Sequence, residues 1–354
     1  MTSSSSPSAS SPSPHTPIRE DWLALHTEPV LEPELRIVDP HHHLWERADA
    51  RYLAHELYAD VNSGHRIDAT VFVQSRSMLR ASGPAELAPL GEAEFANGQA
   101  AMGASGFYGR TLICDGIVGA ADLSLGDAVE PVLEAMARVC GGRLRGIRNP
   151  VVWHEHPDVR SSTAKLRPGV LTDPAFRRGA AALARFDLAL DIWAYHTQLG
   201  DVYELARGLP DVLVVVDHFG GPIGTGPYAN DRARLLAEWR PAMQRLASLP
   251  NVRVKLGGAG MPVMGFGFER AATPPSSLQV AEACRPYVEP CIEWFGVDRC
   301  MFESNFPVDK GGFSYPVLWN AFKRLAQPAS AAEKAALFAD TAIATYRLQL
   351  PNHP

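Results

Sequence analysis

Short runs of β-branched and apolar residues recur along the chain, each closing on polar or glycine residues and most followed by an Ala/Leu/Arg-rich stretch of helical spacing. The runs are 36–43, 69–75, 112–119, 144–149, 188–196, 213–218, 252–257 and 300–306. Such alternation is the pattern of parallel strands covered on both faces by helices. Eight of them predict a closed α/β barrel, (β/α)8 and TIM-like, rather than an open sheet. The spacers 127–139, 173–185, 201–207 and 233–249 read as helices, with capping side chains at Asp173 and Ser330. Between Arg76 and Arg110 only 85–99 looks helical. The long connections 150–171, 220–231 and 258–277 predict extended βα loops on the face where barrels display their chemistry.

Composition narrows the function classes. Across 354 residues, 46% apolar content supports a substantial core. The net charge of -6 arises from interspersed acidic and basic side chains, and no basic stripe marks a nucleic-acid partner. Five cysteines, Cys114, Cys140, Cys284, Cys291 and Cys300, have no C-x-x-C spacing, which points to a reducing cytoplasm rather than a disulfide framework. No apolar run is long enough to span a membrane. Residues 1–17 form a Ser/Pro-rich tract without the features of a secretory signal, expected to be a disordered tail, one that could pack on the partner in a homodimer. Residues 18–354 are expected to form a single barrel domain.

In Asp39-Pro40-His41-His42-His43, strand periodicity puts His41 and His43 on one face and His42 on the other. A surface His cluster would look similar. His196 and His218, however, close the fifth and sixth runs, so four histidines fall at strand ends where a barrel binds metal or polarises a substrate. Zinc suits such imidazoles best, with manganese or iron as alternatives. Arg148 and Lys255, at the ends of strands four and seven, are candidates for clamping a substrate carboxylate, or for an internal ion pair with Glu303. Trp45 and Trp153 belong to an aromatic and thioether-rich mouth suited to a small cyclic or aromatic molecule. The chain has no G-x-S-x-G elbow, and its glycine pairs lack the context of a phosphate loop.

The segments 37–45 (IVDPHHHLW), 145–149 (RGIRN), 195–199 (YHTQL), 216–222 (VDHFGGP), 251–258 (NVRVKLGG) and 295–308 (FGVDRCMFESNFPV) resemble the amidohydrolase superfamily. Within it they resemble the amidohydrolase-2 group of 2-pyrone-4,6-dicarboxylate and sugar-lactone hydrolases. The resemblance implies a barrel, a His-x-His pair at His41 and His43, histidines at His196 and His218, and an aspartate ending strand eight. Here that last position is Asn305, an amide that cannot act as a base near neutral pH. Glu303, two residues earlier and on the same strand face, is one replacement for the missing carboxylate. The other is a site without metal, as the lactonase branch implies, in which His41, His43 and His218 polarise the carbonyl. The expected function is a hydrolase opening a lactone, ester or amide of a small, cyclic or aromatic, possibly carboxylated compound by water attack. The expected catalytic residues are His41, His43, His218, Glu303 and Asn305; substrate would meet Arg148, Lys255, His196, Trp45 and Trp153; a divalent metal, zinc first, would be bound by His41, His43, His196 and His218. Two alternatives stand beside this: a metal-dependent decarboxylase of an aromatic acid, and a ligand-binding barrel that has lost catalysis at Asn305.

Overall fold

The computed structural model describes residues 14–47, 50–162 and 166–350. Eight parallel strands follow one another around a barrel in chain order: β1 (Arg36–His42), β2 (Arg66–Val73), β3 (Leu112–Gly119), β4 (Leu144–Arg148), β5 (Ala189–Ile192), β6 (Val214–Val216), β7 (Val252–Leu256) and β8 (Cys300–Phe302). The barrel closes beyond the end of β8, where His42 bridges Phe306, the His43 N–H donates to the Phe306 carbonyl at 2.7 Å, and the Asn305 N–H donates to the His41 carbonyl at 2.9 Å. A small antiparallel ribbon, Trp45–Arg47 with Ala50–Tyr52, stands over the end of β1.

Alternation along each strand separates two apolar clusters. Outward residues such as Ile37, Phe72, Ile117, Leu190, Val214, Val254 and Phe302 pack with the helices in the larger one. Inward residues Val38, Ala69, Val71, Val118, Ala189, Val215 and Met301 form the smaller, which Ala339, Ala342 and Tyr346 of the C-terminal helical segment plug from below. One step further along the strands the inward positions change character. Ala189 gives way to Asp191, Val215 to Asp217, Arg253 to Lys255 and Met301 to Glu303. The apolar filling thus stops at a layer of charge that forms the floor of the C-terminal mouth.

The eight strands appear where the hydrophobic runs predict them, but several end early. Ile192, Val216 and Phe302 close β5, β6 and β8, so His196, His218 and Asn305 stand in the turns beyond their strands. The backbone makes the break: His218, Phe219 and Asn305 have φ of 55°, 55° and 54°, the left-handed region, which turns the chain out of the extended strand path. Helices occupy the expected spacers, with Asp173 capping Ala175 N–H at 2.9 Å and Ser330 with Glu333 forming a capping box. The helix predicted at 85–99 is displaced to Leu90–Ala104, because the preceding stretch is spent on a short turn at Ala85–Leu87. Of the predicted tail, residues 1–13 lie outside the described residues. Residues 14–17 are described, and His15 lines the barrel mouth, its ring stacked on Trp45. No helix among the described residues is long and apolar enough to cross a membrane.

Candidate active site

Because β1 carries a register shift between Asp39 and His42, His41 still points inward and its ring lies 5.0 Å from that of His43 and 4.6 Å from that of His218. His42 points outward, as alternation requires, with Nε2 2.8 Å from Thr70 Oγ1. Glu303 joins the cluster from β8. Its Oε1 accepts from His218 Nδ1 at 2.6 Å and from the His218 backbone N–H at 3.2 Å, while Oε2 lies 2.7 Å from His41 Nδ1. That second contact is short but poorly aligned, so Oε2 counts as a buried oxygen without a full hydrogen bond. His43 Nδ1 donates to the Val73 carbonyl at 2.7 Å. The Nδ1 protons of His43 and His218 are therefore committed, and their Nε2 lone pairs are left for the cavity that both residues line.

Below the histidines runs an ion network in which Lys255, Asp191 and Asp217 are fully buried and Arg148 reaches the cavity. Lys255 Nζ sits 2.6 Å from Asp191 Oδ2, 3.4 Å from Asp217 Oδ1 and 3.3 Å from His41 Nδ1. Arg148 reaches Asp217 Oδ2 at 3.4 Å, His41 Nε2 at 3.3 Å and the Gln74 carbonyl. The Tyr346 hydroxyl closes the bottom by donating to Asp191 at 2.7 Å. A neutral imidazole has one lone pair, so His41 cannot accept from both Lys255 and Arg148. With Glu303 and Asp217 beside Nδ1, the proton belongs there and Nε2 accepts from Arg148.

Burial dominates the protonation states. It takes His41 down to about 4, assisted by Lys255 and opposed by Glu303 and Asp217. It takes His218 down to about 3 against the pull of Asp217, and His43 well below its ordinary value with help from Arg148. All three rings are neutral at physiological pH. Burial also works against the charges on Lys255 and Asp217, but Asp191 and Asp217 raise the lysine, and Lys255 with His41 holds Asp217 well below the usual carboxylate range. Asp191 is left at about 6 by burial, against the attraction of Lys255.

A cavity of about 640 Å³, mouth included, opens above this layer. His43, His218, Arg148 and Asn305 line its floor side, and Trp45, Trp193 and Met261 its walls. Asn305 donates through Nδ2 to Asp309 Oδ1 at 2.8 Å, and Asp309 is itself fixed by the Gly260 N–H at 2.9 Å. Two glycines of the 251–258 segment make room for the cluster. A Cβ on Gly257 would lie 2.4 Å from Glu303 Cγ and from its carbonyl oxygen, and one on Gly258 would lie 2.8 Å from His218 Cβ. Gly257→Ala is accordingly expected to cost roughly 1–3 kcal/mol of stability through overpacking and to lower kcat by displacing Glu303. Chemical denaturation and turnover of the same preparation check both.

The structure brings together His41, His43, His218, Glu303, Arg148 and Lys255, and places Asn305 and Trp45 on the cavity. It does not bring in His196 or Trp153. His196 Nδ1 accepts from Ile223 N–H at 3.2 Å, its Nε2 faces Glu238 at 3.6 Å, and it stacks edge-on with Tyr228, outside the cavity lining. Because β5 ends at Ile192, the chain has already turned outward when it reaches His196. Trp153 also lies outside the lining, held by its backbone N–H on Gln198 Oε1. The ion pair expected between Glu303 and Lys255 or Arg148 is corrected: Glu303 engages the histidines, while Asp217 and Asp191 take the cations. Those two aspartates escaped the reading of the sequence. Alternation along β5 and β6 would have found them, since Asp191 and Asp217 share the inward face of Ala189 and Val215.

His41, Asp217 and His218 each offer a ligand atom, all within 4.8 Å of one another. Two imidazoles and a carboxylate, with Asp217 Oδ1 buried without a hydrogen-bond partner, are a donor set that fits a divalent cation, for which His41 would give up either its Nδ1 proton or its Arg148 contact to free a lone pair. Asp217 thus stands in the set where His43 and His196 were expected.

Comparison with known proteins gives this geometry a family. A protein of Sinorhizobium fredii described as the uncharacterized protein y4mH is 33% identical over 89% of this chain and 99% of its own length. An L-fucono-1,5-lactonase of Burkholderia multivorans is 30% identical over 89% of this chain and 97% of its own. The crystal structure of a zinc-bound amidohydrolase from Burkholderia multivorans superposes with a TM-score of 0.69 at 26% identity, covering 88% of this chain and 99% of that one. The profile of the family described as Amidohydrolase matches residues 38–348, from β1 to the C-terminal plug, and the chain is an enzyme belonging to that amidohydrolase family.

Proposed function

We propose that this enzyme hydrolyses a small lactone, by attack of water on the ring carbonyl and release of the ring oxygen as an alcohol. The observation that carries the reading is the floor of the cavity, where Glu303 bridges His41 and His218 while neutral Nε2 lone pairs and an arginine face the space above. The lactonase relative, alike over nearly the whole of both chains, supports it.

The residues divide the work as follows. His43, whose Nδ1 proton is committed to Val73, accepts the proton of the attacking water at Nε2 and returns it to the departing ring oxygen. Arg148, fixed by Asp217 and the Gln74 carbonyl, presents positive charge toward the carbonyl oxygen as it becomes an oxyanion. Asn305, tied to Asp309, orients substrate by hydrogen bonding and takes no proton. His41, Asp217 and His218 would hold a divalent metal, with zinc the best match to the donor set, and that ion would supply Lewis acidity and a more acidic water. The five cysteines are buried free thiols, in keeping with work in a reducing cytoplasm.

The test is a panel of aldonolactones followed by acid release at constant pH, beside elemental analysis of the same protein. Hydrolysis at least about a thousandfold above buffer, with near-stoichiometric zinc lost in His41→Ala, is the expected result. Folded, metal-loaded protein that opens no lactone, or that instead releases CO2 from an aromatic acid, would overturn the reading.

A further inference from the structure

Among the described residues, every member of the cavity lining but one lies between His43 and Val308, within the stretch that matches the family profile; the exception is His15. It is carried there by a segment, residues 14–23, that lies over the loops following β7 and β8. The segment is tied down along its length. Arg19 donates to the Glu269 carbonyl at 2.6 Å and stands 4.3 Å from the centre of the Trp22 ring, whose Nε1 donates to the Ala271 carbonyl at 3.1 Å. Trp22 and Leu23 are buried, and Ile18 packs against the larger apolar cluster. Glu20 pairs at 2.9 Å with Lys310, which also holds Asp60 at 3.0 Å. The closest approach is at Gly311, where a Cβ would lie 2.6 Å from Thr16 Cβ and 2.9 Å from the Thr16 carbonyl oxygen.

So anchored, the segment sets the His15 ring on Trp45, with ring centres 6.0 Å apart and planes 18° from parallel. Trp45 in turn stacks on His43 at 5.9 Å and 19°. The three rings form a series that leads from the histidine floor to the outer edge of the cavity. Burial, with Arg47 nearby, takes His15 down to about 4, so at physiological pH the ring is neutral and contributes bulk rather than charge. A neutral, stacked ring held from behind by several anchors acts as a wall.

We propose that His15 is a specificity-determining residue: the segment 14–23 supplies the outer wall of the substrate cavity and restricts the enzyme to lactones of a single, unglycosylated ring. A substituent projecting outward from a ring seated over His43 and His218 meets His15, and a pocket discriminates by the clashes built into it as much as by the contacts it offers. This inference rests on the lactonase reading and narrows its substrate class.

Two measurements on the full chain test it, with His15→Ala and with Gly311→Ala. The second substitution leaves the cavity lining intact and presses on Thr16, so it should shift the wall that His15→Ala removes. With turnover, wild-type enzyme should prefer gluconolactone to lactobionolactone, the same ring bearing a galactosyl group, and both variants should lower that kcat/KM ratio about tenfold. Without turnover, Val152→Cys places a thiol in the cavity of a protein whose five native cysteines are buried. There N-ethylmaleimide should react faster than the bulky, uncharged pyrenylmaleimide, and adding His15→Ala should narrow the difference about tenfold. Equal use of both lactones by the wild type, or a kcat/KM ratio unmoved by His15→Ala, overturns the selection of substrate by His15. A ratio moved by His15→Ala but not by Gly311→Ala overturns the anchoring of the wall at Thr16. Labelling rates that keep their ratio overturn the wall itself. If no lactone is opened, the lactonase reading has failed; the labelling still decides the wall. Unchanged circular dichroism spectra verify the fold of each variant.

Discussion

Glu303→Gln is expected to lower kcat by about a thousandfold or more with little change in side-chain volume. The two oxygens of Glu303 face nitrogens that each carry a proton, His218 Nδ1 at 2.6 Å and His41 Nδ1 at 2.7 Å. An amide keeps one acceptor and turns the other position into a donor. If the oxygen stays with His218, which also offers its backbone N–H, the new NH2 confronts His41 Nδ1–H, and His41 must move its proton to Nε2. That proton would then face the Arg148 Nη1 donor only 3.3 Å away, a second donor–donor contact. The imidazole array loses its orientation whichever way the amide flips. Glu303→Asp keeps the charge but shortens the reach, and should recover part of the rate. Steady-state kinetics on the wild type and both variants, with melting temperatures, separate this from unfolding. A Gln variant of near-normal kcat would show that the bridge is structural only.

How far the sequence reveals this site depends on what alternation alone can specify. The β-branched runs disclose eight strands because a parallel barrel buries both strand faces, and that requirement is written locally. His41 and His43 are legible for the same reason, as alternate residues of one strand. Asp191 and Asp217 are equally legible in principle, but each lies inside or just beyond an apolar run and reads as a boundary residue until its inward neighbours are known. His196 misleads because a run of apolar residues does not say where pairing stops; the strand ends at Ile192 and the turn carries the histidine away. Asn305 illustrates the same limit. Two residues beyond Glu303 suggests a shared face, yet φ of 54° breaks the alternation and directs the amide to Asp309. The pairing of Glu303 with histidines rather than cations is a property of eight strands in register and has no local signature. The hold of Glu92, whose Oε1 accepts from the Ser75 and Ser77 N–H groups at 2.8 and 3.0 Å, is likewise visible only once the helix Leu90–Ala104 has been laid against that turn.

The charged layer beneath the histidines has an energetic consequence independent of catalysis. Lys255→Met should destabilise the fold by about 3–5 kcal/mol, the usual result of removing one member of a buried ion network. Methionine fills a similar volume, so the loss reflects uncompensated charge more than a cavity. Lys255 is fully buried, and its ammonium is the cation nearest to Asp191, at 2.6 Å, as well as a contact of Asp217 at 3.4 Å. Without it Asp217, now held well below the usual range mainly by Lys255, loses its strongest stabilising partner, and Asp191, already at about 6, rises further. The sign of the pH dependence follows. A carboxyl whose folded pKa lies above its unfolded value, about 4, favours the folded state fully below that unfolded value, and the advantage is lost as pH rises through the folded pKa. The penalty of Lys255→Met should therefore be smallest near pH 4 and grow to its full size by neutral pH. Adding Asp191→Asn removes one of the stranded charges, so the double variant should be more stable than Lys255→Met alone, a non-additivity that a double-mutant cycle measures directly. Equal destabilisation at pH 4 and pH 7, with additive effects of the two substitutions, would mean that Lys255 contributes by packing its methylene chain and that the charge layer is not a coupled unit.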